Sequence, residues 1–150
     1  MEVYRISISK YASSLQASGA ENRCNKRGEY VIYAGSSRAL SSLELLVNRS
    51  SAHFNLVEYT IMTISISDNE DLYTHIKKSD LPKNWRQRSA YPVLQQIGSE
   101  WYQQKQSLVL KVPSTVIPFE YNYAINTEHP EFSTSVQLIR NEPYFWDERL

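Results

Sequence analysis

Apolar and polar residues alternate along this chain with two different periods, and the switches between them predict its elements. Tyr4, Ile6 and Ile8 alternate with Arg5 and Ser7, which predicts a first strand with Arg5 on the face opposite the apolar residues. Arg5 is then either an edge charge or a second cation near a site. Residues 11 to 22 hold no sustained period, and Gly19 marks a turn, so a loop leads into Arg23. Tyr30 to Ala34 is aromatic and β-branched, as a half-buried pleated strand requires. Gly35 ends it, and Ser36 or Ser37 caps a helix with Leu40, Leu43 and Val47 at helical spacing beside Ala39 and Leu46. At about 100° per residue, Glu44 falls on the edge of that apolar stripe. A carboxylate there is half desolvated and looks into a cleft where the strand and the loop also end.

A polar pause from Asn48 to Ala52 precedes a long strand, Leu56 to Ile66. Leu56, Met62, Ile64 and Ile66 take one of its faces and Val57, Tyr59 and Ile61 the other, the mark of a central strand covered on both sides. Asp68 is placed to cap a short helix whose first turn holds Glu70 and Asp71, and Leu81-Pro82 ends that unit. After a loop around Trp85, Val93, Leu94, Ile97 and Trp101 predict an amphipathic helix, weakened slightly by Gly98. Leu108 to Val112 predicts a strand that stops at Pro113, and Thr115 to Pro118 extends again. Asn122 to Asn126 and Thr127 to Pro130 read as a polar and aromatic loop. Val136, Leu138 and Ile139 belong to a late strand, and Tyr144-Phe145-Trp146 forms a tail apolar enough to dock. Strands dominate and two or three helices lie between them, so the class is α+β in one domain.

The chain has 150 residues, with 16 basic and 16 acidic side chains. That length supports a single domain, residues 1–150, with a real core. The charge balance argues against bulk nucleic acid as a direct partner, since no basic cluster exceeds Lys26-Arg27 or Lys77-Lys78. It leaves room for a local basic pocket that takes a phosphorylated small molecule. Eleven tyrosines imply that some rings line a wet surface. A single cysteine, Cys24, allows neither an internal disulfide nor a multi-cysteine zinc site. The start, MEVYRISIS, has neither a basic nor an apolar leader region, and no stretch approaches a membrane span, so a cytoplasmic location is expected. Asn48-Arg49-Ser50 is read as a chance sequon.

The chemistry available is narrow. Gly-rich phosphate loops, a G-x-S-x-G elbow and an H-E-x-x-H pair are all missing, and His53, His75 and His129 have no metal spacing. Arg23, Tyr33, Glu44 and Ser114 remain. Singly, each has an ordinary reading: a solvated loop cation, a core aromatic, a helix-flank charge, a turn hydroxyl. Together they suit an anionic, sugar-bearing ligand. Arg23 offers a planar fork for phosphate, Tyr33 stacks on a planar ring, and Glu44 holds ribose hydroxyls and stabilises positive charge at an anomeric carbon. Ser114 either closes its own turn or presents its hydroxyl to a pocket.

In order and spacing, several fragments resemble the RES-domain family, the toxin half of a bacterial toxin–antitoxin pair. They are Tyr4-Arg5, Gly19-Ala20, Arg23-x-Asn25 with Gly28, Tyr33-Ala34, Ala39 through Glu44, Leu81-Pro82 with Trp85, and Gly98 with Trp101. Val112-Pro113-Ser114, Asn122, Ile125-Asn126 with His129-Pro130, and Phe145 to Arg149 continue the series. The three residues that name the family would be Arg23, Glu44 and Ser114. The resemblance implies an ADP-ribosyltransferase-like fold with a mostly antiparallel, split sheet. It implies NAD as substrate, consumed by hydrolysis or phosphorolysis of the nicotinamide–ribose bond, or used to ADP-ribosylate a protein, with no metal. On that reading Arg23, Tyr33 and Glu44 are catalytic, Ser114 contacts the ligand, and Asn25 and Asn126 support it. The implied partner is a helix-turn-helix antitoxin that covers the active site, within a higher-order toxin–antitoxin assembly. Where the family has Gly-Gly before the arginine and an aromatic after it, this chain has Glu21-Asn22 and Cys24. Glu21 is therefore placed to pair with Arg23 and compete with phosphate. A weakened, antitoxin-binding module is the alternative of another class.

Overall fold

The computed structural model describes residues 1–49 and 56–150. Most of the polar pause after Asn48, the sequon's Ser50 and His53 lie outside the described residues. The strands are β1 (Glu2–Ile8), β2 (Val31–Gly35), β3 (Tyr59–Ile66), β4 (Tyr73–His75), β5 (Val109–Pro113), β6 (Tyr121–Asn126) and β7 (Val136–Tyr144). The helices are α1 (Arg38–Asn48), α2 (Tyr91–Gln104) and the single turn α3 (Phe132–Ser135). Described strands form one seven-stranded sheet in the order β4-β5-β6-β2-β1-β3-β7. Pairing is antiparallel throughout except between β4 and β5.

The split lies between β1 and β2. β1 pairs with β3 along its whole length, from Glu2↔Ser65 to Ile8↔Tyr59, and β2 pairs with β6 from Val31↔Asn126 to Gly35↔Asn122. Between them only Tyr4↔Gly35 is in register. The two halves meet at a point and splay apart from it, which opens a cleft in the middle of the sheet.

Alternation along β2 explains how both faces are covered. Ile32 and Ala34 join the larger core with Val3, Ile64, Leu108 and Ile125. Val31 and Tyr33 face the other way, against Trp101 of α2, Leu110 and Ala124. α2 can lie this close because residue 98 is glycine: a Cβ there would stand 1.7 Å from the Cys24 carbonyl oxygen. The glycine that weakened the helix on propensity is what lets it pack.

Several expectations need correction. Asn122 to Asn126 is the interior strand β6, not a loop: its asparagines are satisfied by side-chain partners, so polarity did not exclude burial. Thr115 to Pro118 does not extend again; it is a turn closed by Ser114 N–H donating to the Glu120 carbonyl at 2.8 Å. Asn69, not Asp68, caps the short helix at Glu70–Leu72, and Asp68 pairs with the Met1 amino group. β3 begins at Tyr59, with Leu56 and Val57 exposed before it. In α1, Leu40 and Ser41 are the buried residues, while Leu43 is exposed and Val47 is 66% exposed. The stripe is rotated from the apolar one, because the helix packs through its first turns over the sheet junction. The tail docks through Trp146, edge-on to Tyr59 and Tyr144, and Phe145 points to solvent.

Candidate active site

Glu44 is positioned by the way α1 starts. Ser37 accepts the Leu40 N–H at 3.0 Å and caps the helix. One turn on, Ser41 Oγ reaches the Tyr4 carbonyl at 2.7 Å and ties α1 to β1 beside the splayed junction. A Cβ on Gly35 would meet Ser41 Oγ at 2.7 Å, so glycine is needed for the helix to sit there. Glu44 follows three residues after Ser41 and therefore stands over the cleft on the same face.

Two donors hold its carboxylate. Asn122 Nδ2 donates to Glu44 Oε1 at 2.6 Å and Ser114 Oγ donates to the same oxygen at 3.1 Å. Oε2 receives no hydrogen bond from a described residue and is left for a ligand. Ser114 closes its own turn, the first of its two sequence readings, and gives its proton to Glu44 rather than to an open pocket. Its oxygen accepts from Val116 N–H at 3.0 Å and Ile117 N–H at 3.1 Å, closing a turn, while its proton goes to Glu44. One proton and two lone pairs are then all used. The hydroxyl fixes Glu44 and the loop, with no capacity left over for a ligand.

Arg23 sits in a tight bend, where Asn22 Oδ1 takes its N–H at 2.9 Å. The guanidinium lies over the Tyr91 ring, 5.5 Å from the centroid, and donates through Nη1 to Thr115 Oγ1. Its Nε is buried without a hydrogen-bond partner, a donor that an incoming anion would satisfy. Glu21 does not compete: it pairs with Arg27 at 3.7 Å, both exposed. Arg5 is on an interior strand, so it is not an edge charge. It lines the same cavity, burial lowers its pKa, and it makes no ion pair with a described residue.

Tyr33 lines the cavity and donates its hydroxyl to Asn25 Oδ1 at 2.6 Å. Burial, and then the Cys24 thiol, push the phenol well above its ordinary value, so it stays a neutral donor. Asn25 is buried and binds the carbonyls of Ala20 at 2.9 Å, Lys26 at 3.0 Å and Glu29 at 3.3 Å. It holds the loop's shape rather than facing the cavity. The buried Glu29 completes that frame, accepting from Lys26 N–H at 2.6 Å and from Ser99 Oγ of α2 at 2.7 Å. Asn126 is not brought to the site. It lies at the other end of β6 from Asn122, fully buried, donating to the Tyr102 carbonyl at 3.0 Å and accepting from Glu128 N–H at 2.9 Å.

The resulting cavity measures about 650 Å³, within the range of small-molecule sites. Arg5, Arg23 and Arg49 line it against Glu21 and Glu44, with aromatic walls from Tyr33, Trp85 and Tyr91. Asn122 and Tyr91 carry weight here that reasoning from the sequence did not assign. For Asn122 the available signal was an asparagine in a chain of otherwise strand-forming residues. Among the described residues, no group of three or more His, Cys, Asp or Glu is placed to hold a metal.

The cleft thus holds a fixed carboxylate and three arginines that form no ion pair with a described residue. The RES domain model matches residues 2–147. The chain belongs to the RES-domain family. Toxin Res of Yersinia enterocolitica (serotype O:8 / biotype 1B) is 35% identical over 154 residues, covering 100% of this chain and 99% of the relative. The Prs ADP-ribosylating toxin of Sphingobium sp. (strain YBL2) is 31% identical, covering 93% of this chain and 88% of the relative. Among solved structures, the M. tuberculosis MbcT–MbcA toxin–antitoxin complex contains a chain that matches this RES-domain protein with a TM-score of 0.75 at 15% identity, over 96% of this chain and 84% of that one. At that identity the likeness concerns the fold. None of the described helices is long and apolar enough to cross a membrane.

Proposed function

We propose that this RES-domain protein is the toxin of a toxin–antitoxin pair and that it cleaves the nicotinamide–ribose bond of NAD. The observation that carries the reading is Glu44, with one oxygen fixed by Asn122 and Ser114 and the other open to a cavity walled by Arg5 and Arg23. The two arginines take the pyrophosphate, with the unpartnered Arg23 Nε as one donor to it. Tyr33, Trp85 and Tyr91 provide aromatic walls for the planar rings.

In NAD the nicotinamide nitrogen is already quaternary, so its bond to the ribose breaks without protonation. The bonding pair goes to the nitrogen and neutral nicotinamide leaves. Positive charge develops on the ribose, and the Glu44 carboxylate stabilises it and accepts from a ribose hydroxyl. Because Asn122 and Ser114 hold that carboxylate beforehand, it does not reorganise as the charge appears. An acceptor then bonds to the anomeric carbon and gives up a proton. In this reading the acceptor is water or phosphate. Transfer to a protein is the second reading, supported by the name of the Sphingobium relative. An antitoxin is the proposed partner, supported by the toxin–antitoxin complex that contains a chain of this fold; its helix-turn-helix class rests on the family resemblance alone.

The test is incubation of the purified chain with NAD, with and without inorganic phosphate, following free nicotinamide by proton NMR. Release only with phosphate identifies a phosphorylase, and release in both conditions a hydrolase. Glu44→Gln should slow release by about 100-fold or more, the usual scale for removing a preorganised electrostatic group. Full activity in that variant refutes the assignment. No release by the folded wild type, with labelled ADP-ribose appearing on a lysate protein, selects the second reading.

A further inference from the structure

On the outer side of the loop that carries Ser114 lies a second cavity of about 280 Å³. It is lined by Lys77, Lys78, Arg86, Phe119, Tyr121 and the carboxylate of Glu120, whose Oε2 is buried without a hydrogen-bond partner, and it shares Trp85 and Pro113 with the first. Three features set it apart from ordinary surface. Lys77, Lys78 and Arg86 are exposed, and none of them forms an ion pair with a described residue. Lys111 adds a further positive charge, held over the Tyr121 ring at 4.3 Å. Phe119 is 96% exposed and holds a φ of +64°, the left-handed region that bulky side chains avoid. A phenylalanine displayed at the tip of a loop in that conformation, beside cations that form no ion pair with a described residue, has the composition of an interface core rather than of solvated surface.

We propose that this cavity is a docking site for an acidic segment of a protein partner, one that sets an apolar side chain against Phe119 and Tyr121 and carboxylates against Lys77, Lys78 and Arg86. Lys77, Lys78 and Arg86 outweigh the one carboxylate of Glu120, and that positive balance chooses the acidic segment. The aromatic and proline walls argue for a peptide over a bare anion, which would leave them unused. The cavity's small size and the neutral charge of the whole chain argue against nucleic acid.

Docking there reaches the first site through covalent neighbours. Arg86 Nε and Nη2 donate to the Thr115 carbonyl at 3.2 and 2.8 Å, while Thr115 Oγ1 accepts from Arg23 and Ser114 donates to Glu44. One short loop thus has its outer side against the bound segment and its inner side on the two residues assigned to phosphate and ribose.

The experiment is fluorescence anisotropy on the full chain with a fluorescein-labelled, glutamate-rich peptide bearing a central leucine and phenylalanine, which does not depend on NAD turnover. A matched peptide with glutamine for glutamate, a labelled single-stranded oligonucleotide and unlabelled inorganic phosphate serve as comparators. The acidic peptide should bind. Its affinity should fall about tenfold or more in the Lys77→Glu, Lys78→Glu double variant and in Phe119→Ala, and fall with added salt. Both changes are at exposed side chains, and circular dichroism checks that the variants remain folded. No binding, equal binding of the glutamine peptide or undiminished binding by the variants overturns the proposal. So does tighter binding of the oligonucleotide, or displacement of the peptide by millimolar phosphate.

Discussion

Asn122→Ala isolates the part of the proposed catalytic arrangement that was least visible beforehand. The substitution removes the 2.6 Å bond from Nδ2 to Glu44 Oε1 and leaves the 3.1 Å bond from Ser114. A hydrogen bond between a neutral donor and a carboxylate contributes about 1.5–3 kcal/mol. If that energy serves to hold Glu44 where charge develops on the ribose, its loss appears in the transition state, and at about 1.4 kcal/mol per factor of ten it lowers kcat roughly 10–100-fold. KM for NAD should move little, because Arg5 and Arg23 are untouched. Stability should fall by less than about 2 kcal/mol, since the Asn122 backbone keeps its strand neighbours Gly35 and Val112. Nicotinamide release at several NAD concentrations, with a urea melt of the same preparation, gives all three quantities. A kcat within twofold of wild type, or a loss confined to KM, refutes the idea that Asn122 preorganises Glu44.

Two further outcomes follow from the packing around the Arg23 loop. Gly98→Ala places a methyl group against the Cys24 backbone, where only 1.7 Å is free, so α2 or the loop must move; the urea midpoint should drop by the equivalent of about 3 kcal/mol or more, and a wild-type midpoint would contradict the packing. Cys24 is buried and its thiol is pushed up to about 11, with the Arg23 charge opposing the rise. The unfolded chain therefore loses that proton first: stability is fully present below the unfolded value of about 8.5 and declines as pH rises toward 11, by up to about 1.4 kcal/mol per pH unit. Cys24→Ala should flatten the decline between pH 8.5 and about 9.5, where the phenols of the unfolded chain, with ordinary values near 10, are still mostly protonated; above that Tyr33, Tyr73 and Tyr123, all raised by burial in the fold, add a decline of their own, and an unchanged slope below pH 9.5 would refute the assignment.

Local rules were enough for the centre of the fold. β2, the break at Gly35, the Ser37 cap and α1 follow from strand propensity, a glycine and a capping hydroxyl, each acting within a few residues. The face that α1 buries did not follow. Leu43 and Val47 fit the helical period, but the helix packs through Leu40 and Ser41 onto a sheet junction whose geometry is set by strands far away in sequence. β6 was hidden for a similar reason. Asn122 and Asn126 look like loop residues until Glu44 and the Tyr102 carbonyl are brought to them. Residue chemistry and then the family resemblance singled out Arg23, Tyr33, Glu44 and Ser114; the first three line the cleft, and Ser114 lines the second cavity and reaches the cleft through its bond to Glu44. The structure separates their partners by role: Asn25 frames the loop, Asn126 braces α2, and Asn122 takes the position beside Glu44.

The splayed junction between β1 and β2 also orders events in time. Because the strands on its two sides pair with β3 and with β6, the cleft is walled by segments made early and late, from Arg5 on β1 to Asn122 on β6. A ribosome has translated Arg5, Arg23 and Glu44 long before Asn122 leaves its exit tunnel. Until then β2 lacks its longer-paired neighbour β6, and the carboxylate lacks its Asn122 anchor. Such pairing between distant segments is intrinsically slow to form. A nascent chain built this way carries Arg5, Arg23 and Glu44 through most of its synthesis before the strand that completes the cleft is in place.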